Sequence, residues 1–501
     1  MSAPQEIELK LLVLGHTADA ALQKLRRSPS LVRRKLRQQQ LLSRYFDTPD
    51  QVLQGHCCAL RVRQALDVPA SAGSAPAPWV QTLKGAGSCH GGLSQRDEWE
   101  SPVPGDWPER EALRGTAWDA LDPSEAVFER LQPSYETRCL RSSWLITRRD
   151  GTLLEVTLDA GTVHAGEQEQ PLLEIELELL AGSPQALFEV ADELAQRLPC
   201  LPSHISKAER CQLLAQQQLH RPVKARRLEP QPGEPLQALA QRVLGEMLEQ
   251  FLRNLEAAMQ RDEPELVHQA RVGWRRWRSL QRLLRPWVGA APDCSGLRPL
   301  LDALGQQRNL DVACSETLPA WQSAWPGPAA SWQQALQGLE AARVAQRAQL
   351  RQTLATPAVG RALLALTQHL WQSSQQSVPI KKRWAGQRLA RWHRRLQRLL
   401  HGEQAALLDV ATLHAARLLA KRLRYGSEAL ASALPAKRLR QSQQWVKDAT
   451  LWQTRIGQAR DAWQLAALLQ EHTDAAAALV AFMQGVAAAM ERAAQEAASP
   501  G

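Results

Sequence analysis

The sequence predicts a multidomain α+β protein: a closed or nearly closed β barrel with a charged interior, followed by an all-α region built on a duplication. Three observations carry this. Short stretches in which charged and apolar residues alternate strictly recur through the first 180 residues. Beyond a Pro-rich segment, Ala, Leu, Gln and Arg take over and β-branched residues become few. Within that C-terminal region a basic pattern appears twice.

With 501 residues the chain has room for two or three domains, each with a full core. Its net charge of +10 is uneven: residues 1–220 carry 23 Lys and Arg against 29 Asp and Glu, and the remainder carries 38 against 22. An acidic region joined to a basic region suggests metal ions in the former and a polyanion on the latter. Eight Cys without C-x-x-C spacing read as free thiols, as expected of a cytoplasmic protein. The apolar run Ala475–Met490 is too short and too weakly hydrophobic to span a bilayer, so no membrane partner is expected.

In Gln5–Leu14 the alternation puts Glu6, Glu8 and Lys10 on one strand face and Ile7, Leu9 and Leu11 on the other. Residues 18–40 read as a basic helix, and Arg44–Asp47 as a strand ending at Thr48-Pro49. Ala59–Arg63 pairs Arg61 with Arg63 on one face, Trp79–Lys84 pairs Thr82 with Lys84, and Arg96–Glu100 groups Arg96, Glu98 and Glu100. The Gly-rich segment 85–91 reads as a hairpin turn. Further strands are expected over Arg138–Ile146, Leu153–Asp159 and Leu172–Leu180, the last with Glu174, Glu176 and Glu178 together. A helix over Pro184–Arg197 and the polar run Ser203–Arg210 follow.

So many one-sided charged strands cannot all face solvent without leaving the sheet little core. Closure turns the charged faces inward around a hydrated lumen. Carboxylates there are hard ligands for Mg²⁺ or Mn²⁺, while Arg and Lys offer charge-assisted hydrogen bonds to phosphate oxygens. A metal-bridged polyphosphate uses both.

Glu6-x-Glu8-x-Lys10, Arg61-x-Arg63, Lys84, Arg96-x-Glu98, Asp159, Glu176-x-Glu178 and Ser206-Lys207, in this order, resemble the CYTH family of triphosphate tunnel metalloenzymes over roughly residues 4–212. The resemblance implies an eight-stranded antiparallel β tunnel. It implies Glu6, Glu8, Asp159, Glu176 and Glu178 as metal-side carboxylates, and Lys10, Arg61, Arg63, Lys84, Arg96, Arg141 and Lys207 on the substrate side. Glu6, Glu8, Lys10, Lys84 and Asp159 are the candidate catalytic groups; Arg138 competes with Arg141, and Glu100 and Glu174 fit the same charged face.

Residues 213–233 read as a Pro-rich linker, and 234–495 as helical, with Trp274, Trp277, Trp384, Trp392, Trp452 and Trp463 filling helix contacts. His268-x-x-Arg271-x-x-x-Arg275-Arg276-x-Arg278 is matched by His414-x-x-Arg417-x-x-x-Lys421-Arg422-x-Arg424. In each copy the His and three cations fall on one helical face, within an arc of about 80°. A second matched pair is Gly305-Gln306-Gln307-Arg308-Asn309 and Gly457-Gln458-Ala459-Arg460-Asp461, and the run from Lys381 through Arg398 adds a further basic helix.

This duplication resembles the CHAD domain, a histidine-containing helical-bundle domain. The resemblance implies a basic groove that binds long-chain polyphosphate through His268, Arg271, Arg275, Arg276, Arg308, His414, Arg417, Lys421, Arg422 and Arg460. Asn309 stands where the second copy and the family pattern have Asp. Aromatic residues interleaved on the His/Arg face are scarce, which argues against nucleic acid. There is no Walker A motif and no H-E-x-x-H. The expected activity is metal-dependent hydrolysis of inorganic triphosphate. The alternatives are a class IV adenylate cyclase or thiamine triphosphatase in the same tunnel, or a non-catalytic polyphosphate-binding protein.

Overall fold

The structure, a computed structural model, describes residues 5–68, 77–90, 92–226, 234–375, 383–401, 410–431, 434–473 and 477–496. Its N-terminal region runs β1 (Gln5–Val13), α1 (Ala18–Arg26), β2 (Arg37–Asp47), α2 (Val52–Gly55), β3 (Ala59–Asp67), β4 (Trp79–His90), β5 (Leu93–Val103) and α3 (Trp118–Leu121). It continues through β6 (Gln132–Thr147), β7 (Leu153–Ala165), β8 (Gln168–Ala181), α4 (Gln185–Ala195), β9 (Cys200–Pro202) and α5 (Lys207–Ala215). The strands lie in the order β5-β4-β3-β2-β6-β7-β8-β1, and β1 pairs with β5 to close an eight-stranded antiparallel barrel. Strand β9 adds a short antiparallel pairing to the end of β1.

Alternation sends the apolar half of each strand outward. Leu9, Leu11, Val156, Leu158, Ile175 and Leu177 are buried in one cluster with Ala21 and Leu25 of α1 and Leu187, Phe188 and Leu194 of α4. Burial of each large side chain is favourable by roughly 1.5–3 kcal/mol. These helices therefore hold the wall while the charged half faces the lumen.

Two local expectations are corrected. The basic helix stops at Arg26, because Ser28-Pro29 interrupts it, and strand β2 already begins at Arg37. The Gly-rich segment is also no turn: β4 runs through it to His90, with a register shift between Lys84 and Gly87. A Cβ on Gly87 would lie 2.4 Å from Arg96 Cβ and Gln95 O, so glycine is required there by the approach of β5. Gly91 lies outside the described residues.

The helical region comprises α6 (Leu236–Gln260), α7 (Pro264–Val288), α8 (Arg298–Val312), α9 (Leu318–Ala320), α10 (Ala329–Leu354), α11 (Pro357–Ser374), α12 (Trp384–His401), α13 (Val410–Ala429), α14 (Ala436–His472) and α15 (Ala477–Glu496). No described helix is long and apolar enough to cross a membrane. Trp274 and Trp277 are buried and stacked, with ring centroids 5.4 Å apart, and Trp287 meets Trp384 edge-on. Trp463, expected in a helix contact, is instead 42% exposed and donates its indole N–H to Glu491. The side chain of Trp452 lies outside those described.

The chain forms two compact units that do not follow the sequence strictly. The first takes Met1–Arg221 together with Asp293–Leu297 and Ala355–Trp371; the second takes the rest. In the first unit Leu364 joins the cluster around α4, Trp371 packs on Phe188 at 5.5 Å, and Arg361 forks onto Asp192 at 2.8 and 2.9 Å. The Pro-rich segment lies partly outside the described residues, at 227–233.

Gly161 of β7 offers a test of barrel closure, since a Cβ there would sit 1.9 Å from Arg138 O of β6. Gly161→Ala should lower the urea unfolding free energy by about 1–3 kcal/mol. Gly105→Ala, which meets open space, should leave it within about 0.5 kcal/mol. Equal midpoints for the two variants would contradict the β6–β7 register.

Candidate active site

Residues directly opposed on antiparallel strands project from the same face, so the register lists what the lumen contains. Glu6 faces Arg96, Glu8 faces Glu178 and Lys10 faces Glu176. Lys84 faces Glu98, Arg61 faces Thr82 and Tyr45, and Arg63 faces Ser43. Arg141 faces Asp159, which in turn faces Glu174, and Glu155 faces Glu178. Two cavities of about 250 and 370 Å³ occupy this space and share Glu8, Lys10, Tyr45, Lys84, Arg96 and Ser206 among their walls.

One group of charges is self-neutralised. Lys207 Nζ lies 2.7 Å from Asp159, 2.5 Å from Glu174 and 2.8 Å from Glu176. Ser206 caps α5, accepting from Glu209 N, and so aims Lys207 at this point. Arg141 forks onto Asp159 at 2.7 and 2.6 Å and reaches Glu176 at 2.8 Å, while Lys10 Nζ is 2.7 Å from Glu176. Burial opposes ionisation of Asp159, but Arg141 and Lys207 hold its carboxyl well below the usual range. Glu176 is held low against its own burial by Lys10, Lys207 and Arg141. Three carboxylates thus meet three cations.

The rest of the lumen is not balanced. Glu6, Glu8, Glu98, Glu100, Glu155 and Glu178 share it with Lys84, Arg96 and Arg61. Lys84 Nζ is 2.8 Å from Glu6 and 3.2 Å from Glu98; Arg96 is 3.0 Å from Glu6 and 3.4 Å from Glu8. Burial works against the charge of Glu6, yet Lys84 and Arg96 bring its carboxyl down to about 2. Glu178 makes no hydrogen bond or ion pair among the described residues. Burial, then Glu6 and Glu98, push it up to about 7. Burial also raises Glu98 despite Lys84 beside it. Surplus carboxylates with strained charge are what a hard divalent cation relieves.

One arginine of this lumen has no carboxylate partner among the described residues. Arg63 donates to Ser43 Oγ at 3.0 Å and forms no ion pair among the described residues. Its burial, with Arg61 and Arg141 nearby, depresses it to about 10. Arg61 bonds Thr82 Oγ1 at 2.9 Å and lies 3.5 Å from Glu100.

In the helical unit both copies of the basic pattern converge. Arg271 is repelled by Arg275, Arg460 and Arg308, and its burial plus these cations bring it to about 10. Lys421, half-buried, is depressed to about 7 by burial, Arg275, Arg417 and Arg460. Each copy seats an arginine over a glycine of the matched second stretch: a Cβ on Gly305 would lie 3.0 Å from Arg271 Nη1, and one on Gly457 3.6 Å from Arg417 Nη2. His268 sits by Arg308 and Arg275, its pKa lowered first by burial, and Arg308 pairs with Glu316 at 2.9 Å. Arg276 turns away, buried, to Glu428, and Arg422 faces Arg282, Arg278 and Arg395. The side chain of His414, and Lys381 and Lys382, lie outside those described.

Residues 4–211 match the family model of the CYTH domain, and residues 242–470 that of the CHAD domain. The chain joins a CYTH domain to a CHAD domain. Over 216 residues it is 33% identical to an inorganic triphosphatase of Haemophilus influenzae, a match that takes in 43% of this chain and 56% of that protein, so the chain spans about half the length of this relative. Among solved structures it is similar to the CHAD domain of the plant Ricinus communis, with 25% identity, 56% of this chain and 97% of that one covered, and a TM-score of 0.47. It is also similar to a Hippeastrum protein described as an adenylyl cyclase with a dominant triphosphatase activity, with 20% identity, 41% and 95% covered, and a TM-score of 0.30.

Within the CYTH domain, Glu6, Glu8, Lys10, Arg61, Arg63, Lys84, Arg96, Arg141, Glu176, Glu178 and Lys207 all line the lumen cavity. Arg141 is the lumen arginine of β6; Arg138 lies outside, paired with Glu136. Asp159 is fully buried behind Arg141 and Lys207 and does not reach the cavity wall. Oxygens of Asp159, Glu174 and Glu176 lie within 4.8 Å of one another, a spacing that suits a metal ion. Their three cations already balance them, so the unbalanced wall of Glu6, Glu8 and Glu178 fits a cation better. Sequence reasoning passed over Glu155, Thr157 and Tyr45, which line the same cavity. The alternation Glu155-x-Thr157-x-Asp159 was the available signal for the first two.

Glu178 sets a pH dependence. Its carboxyl is raised above its unfolded value, so the folded state holds an extra proton between about pH 4.5 and 7, and stability falls as pH rises through that window. In EDTA, Glu178→Gln should melt a few degrees above wild type at pH 8 and together with it at pH 4. Parallel melting curves across the range would mean that Glu178 carries no such strain.

Proposed function

We propose that the CYTH domain hydrolyses inorganic triphosphate to diphosphate and phosphate with the help of Mg²⁺ or Mn²⁺, and that the CHAD domain binds long-chain polyphosphate. What supports this most is the imbalance within one lumen: six carboxylates, Glu178 among them without a cation, share the wall with three cations, while half-buried Arg63 makes no ion pair among the described residues. A metal-bridged phosphate chain satisfies both together.

Phosphoryl transfer needs alignment and charge neutralisation more than covalent chemistry, in keeping with a lumen rich in cations. Arg61, Arg63, Lys84 and Arg96 grip the phosphate oxygens, and Lys10, Arg141 and Lys207 present further charge. Glu6, Glu8 and Glu178 would hold the divalent ion, which when bound neutralises phosphate oxygens and acidifies a bound water. Asp159 positions Arg141 and Lys207. The CHAD domain raises the local concentration of phosphate chains.

The larger cavity includes Tyr45, Phe46, Leu60 and Tyr135, with Gln54 and Gln212 beside them. That lining favours an organic group on the triphosphate as the alternative, as in thiamine triphosphate or ATP. Product release should be compared across inorganic triphosphate, ATP, thiamine triphosphate and long-chain polyphosphate. Triphosphate should be preferred by about tenfold or more in kcat/KM, equivalent to about 1.4 kcal/mol. Preference for an organic substrate, or cyclic nucleotide as product, would replace the inorganic assignment. Glu6→Gln and Glu8→Gln should each lower kcat by roughly 100-fold or more, whereas Arg63→Ala should raise KM as well.

For the CHAD domain, replacing Arg271, Arg275, Arg417 and Lys421 by Ala should weaken polyphosphate binding and flatten its salt dependence, by analogy with counterion release from nucleic acids. Hydrolysis of soluble triphosphate by the same full-length variant should be unchanged. Loss of that hydrolysis, or salt-independent binding by wild type, would contradict the division of roles.

A further inference from the structure

Cys57 and Cys58 are the one place in the chain where two cysteines are adjacent. In a regular strand adjacent side chains leave on opposite faces. A left-handed backbone at Cys57, with φ 57°, breaks that alternation just before β3, and both residues line the cavity of about 370 Å³. Such a backbone is uncommon for any residue but glycine. The turn that presents the pair is held by Asp47, which accepts from the amides of Thr48, Leu53 and Gln54 at 2.7, 2.9 and 3.1 Å. The amides of Cys57 and Cys58 in turn donate to Gln54 O and Leu53 O, each at 2.9 Å. The two thiols therefore stand on backbone that is already ordered.

The pair adjoins the candidate active site. Ala59, the next residue, is paired with Lys84 across β3 and β4, and the same cavity wall includes Glu8, Lys84 and Arg96. Burial pushes the Cys58 thiol up, while the amide of Ala86, at the register shift of β4, works in the other direction. Cys57 is exposed and Cys58 half-buried, whereas Cys139, Cys200, Cys211 and Cys314 are buried. Both thiols of the pair are open to a reagent that enters the cavity.

Direct oxidation suits this pair poorly. Neighbouring Cα atoms are about 3.8 Å apart, whereas a relaxed disulfide spans roughly 4.4–6.8 Å between them. An atom that sits between the sulfurs and takes one bond to each removes the mismatch. We propose that Cys57 and Cys58 form a dithiol site for a trivalent arsenical carrying one organic group, and that its capture obstructs the cavity beside Lys84. Two S–H bonds and the As=O bond break, and two As–S bonds form. One water leaves with the oxygen and both protons, and arsenic stays trivalent. The capture stands by itself; the obstruction rests on triphosphate hydrolysis in this lumen.

Phenylarsine oxide on the reduced full chain tests both. With the arsenical at about ten times its dissociation constant, iodoacetamide labelling of Cys57 and Cys58, read by peptide mass, should slow together about tenfold. Dimercaptopropanol should restore it and glutathione should not, because two linked thiols hold arsenic more tightly than separate ones. In Cys57→Ser the labelling of Cys58 should be indifferent to the arsenical, and in Cys58→Ser that of Cys57 likewise. Triphosphate hydrolysis in Mg²⁺ should fall about tenfold in treated wild type. Each serine variant, set against its own untreated sample, should keep its rate. Unchanged labelling of both cysteines in wild type overturns the site, as does equal reversal by glutathione. Full capture with undiminished hydrolysis overturns the obstruction. If the untreated chain hydrolyses no triphosphate, the obstruction falls with that function, while the labelling still decides the dithiol.

Discussion

Charges that point into a closed barrel must find partners there, because water cannot solvate them all, and this requirement shapes the CYTH domain. Asp159, Glu174 and Glu176 meet it with Lys10, Arg141 and Lys207, contributed by β1, β6 and α5. Removing one member would leave a buried charge uncompensated, commonly a loss of about 3–5 kcal/mol. The group thus fixes the register of β6, β7 and β8 and docks α5 at the barrel end. The remaining charges are free to stay unmatched, and it is there that a ligand has something to complete.

Much of this was legible in the sequence because strand alternation is local. Glu6 and Glu8, or Glu176 and Glu178, declare a shared face without knowledge of any neighbour. Pairing across strands is not local. That Asp159 would be consumed by Arg141 and Lys207 follows only from the β6–β7 register and the capping of α5 by Ser206. The basic residues of 27–37 looked helical because composition does not register a single break at Pro29. The glycines of β4 looked like a turn because the close approach of β5 is a tertiary fact.

In the CHAD domain the duplication was visible as spacing, and the structure adds what the spacing serves. Gly305 and Gly457 leave room for Arg271 and Arg417, so the small residue of one stretch and the large residue of the other form one repeated unit. Offsets of seven and eight residues look alike in sequence, yet Arg275 joins the central face and Arg276 packs on Tyr425.

Helix α11 gives the polypeptide an unusual seam. Ala355–Trp371 lies within the span matched by the CHAD family model, yet Leu364, Arg361 and Trp371 are bound to the hydrophobic cluster and helix α4 of the CYTH unit. Cutting the chain at the Pro-rich segment would strip that cover from Phe188 and leave Asp192 without its arginine. A domain exchange that kept the barrel whole would have to carry this helix with it, so recombination at the linker alone yields two incomplete halves.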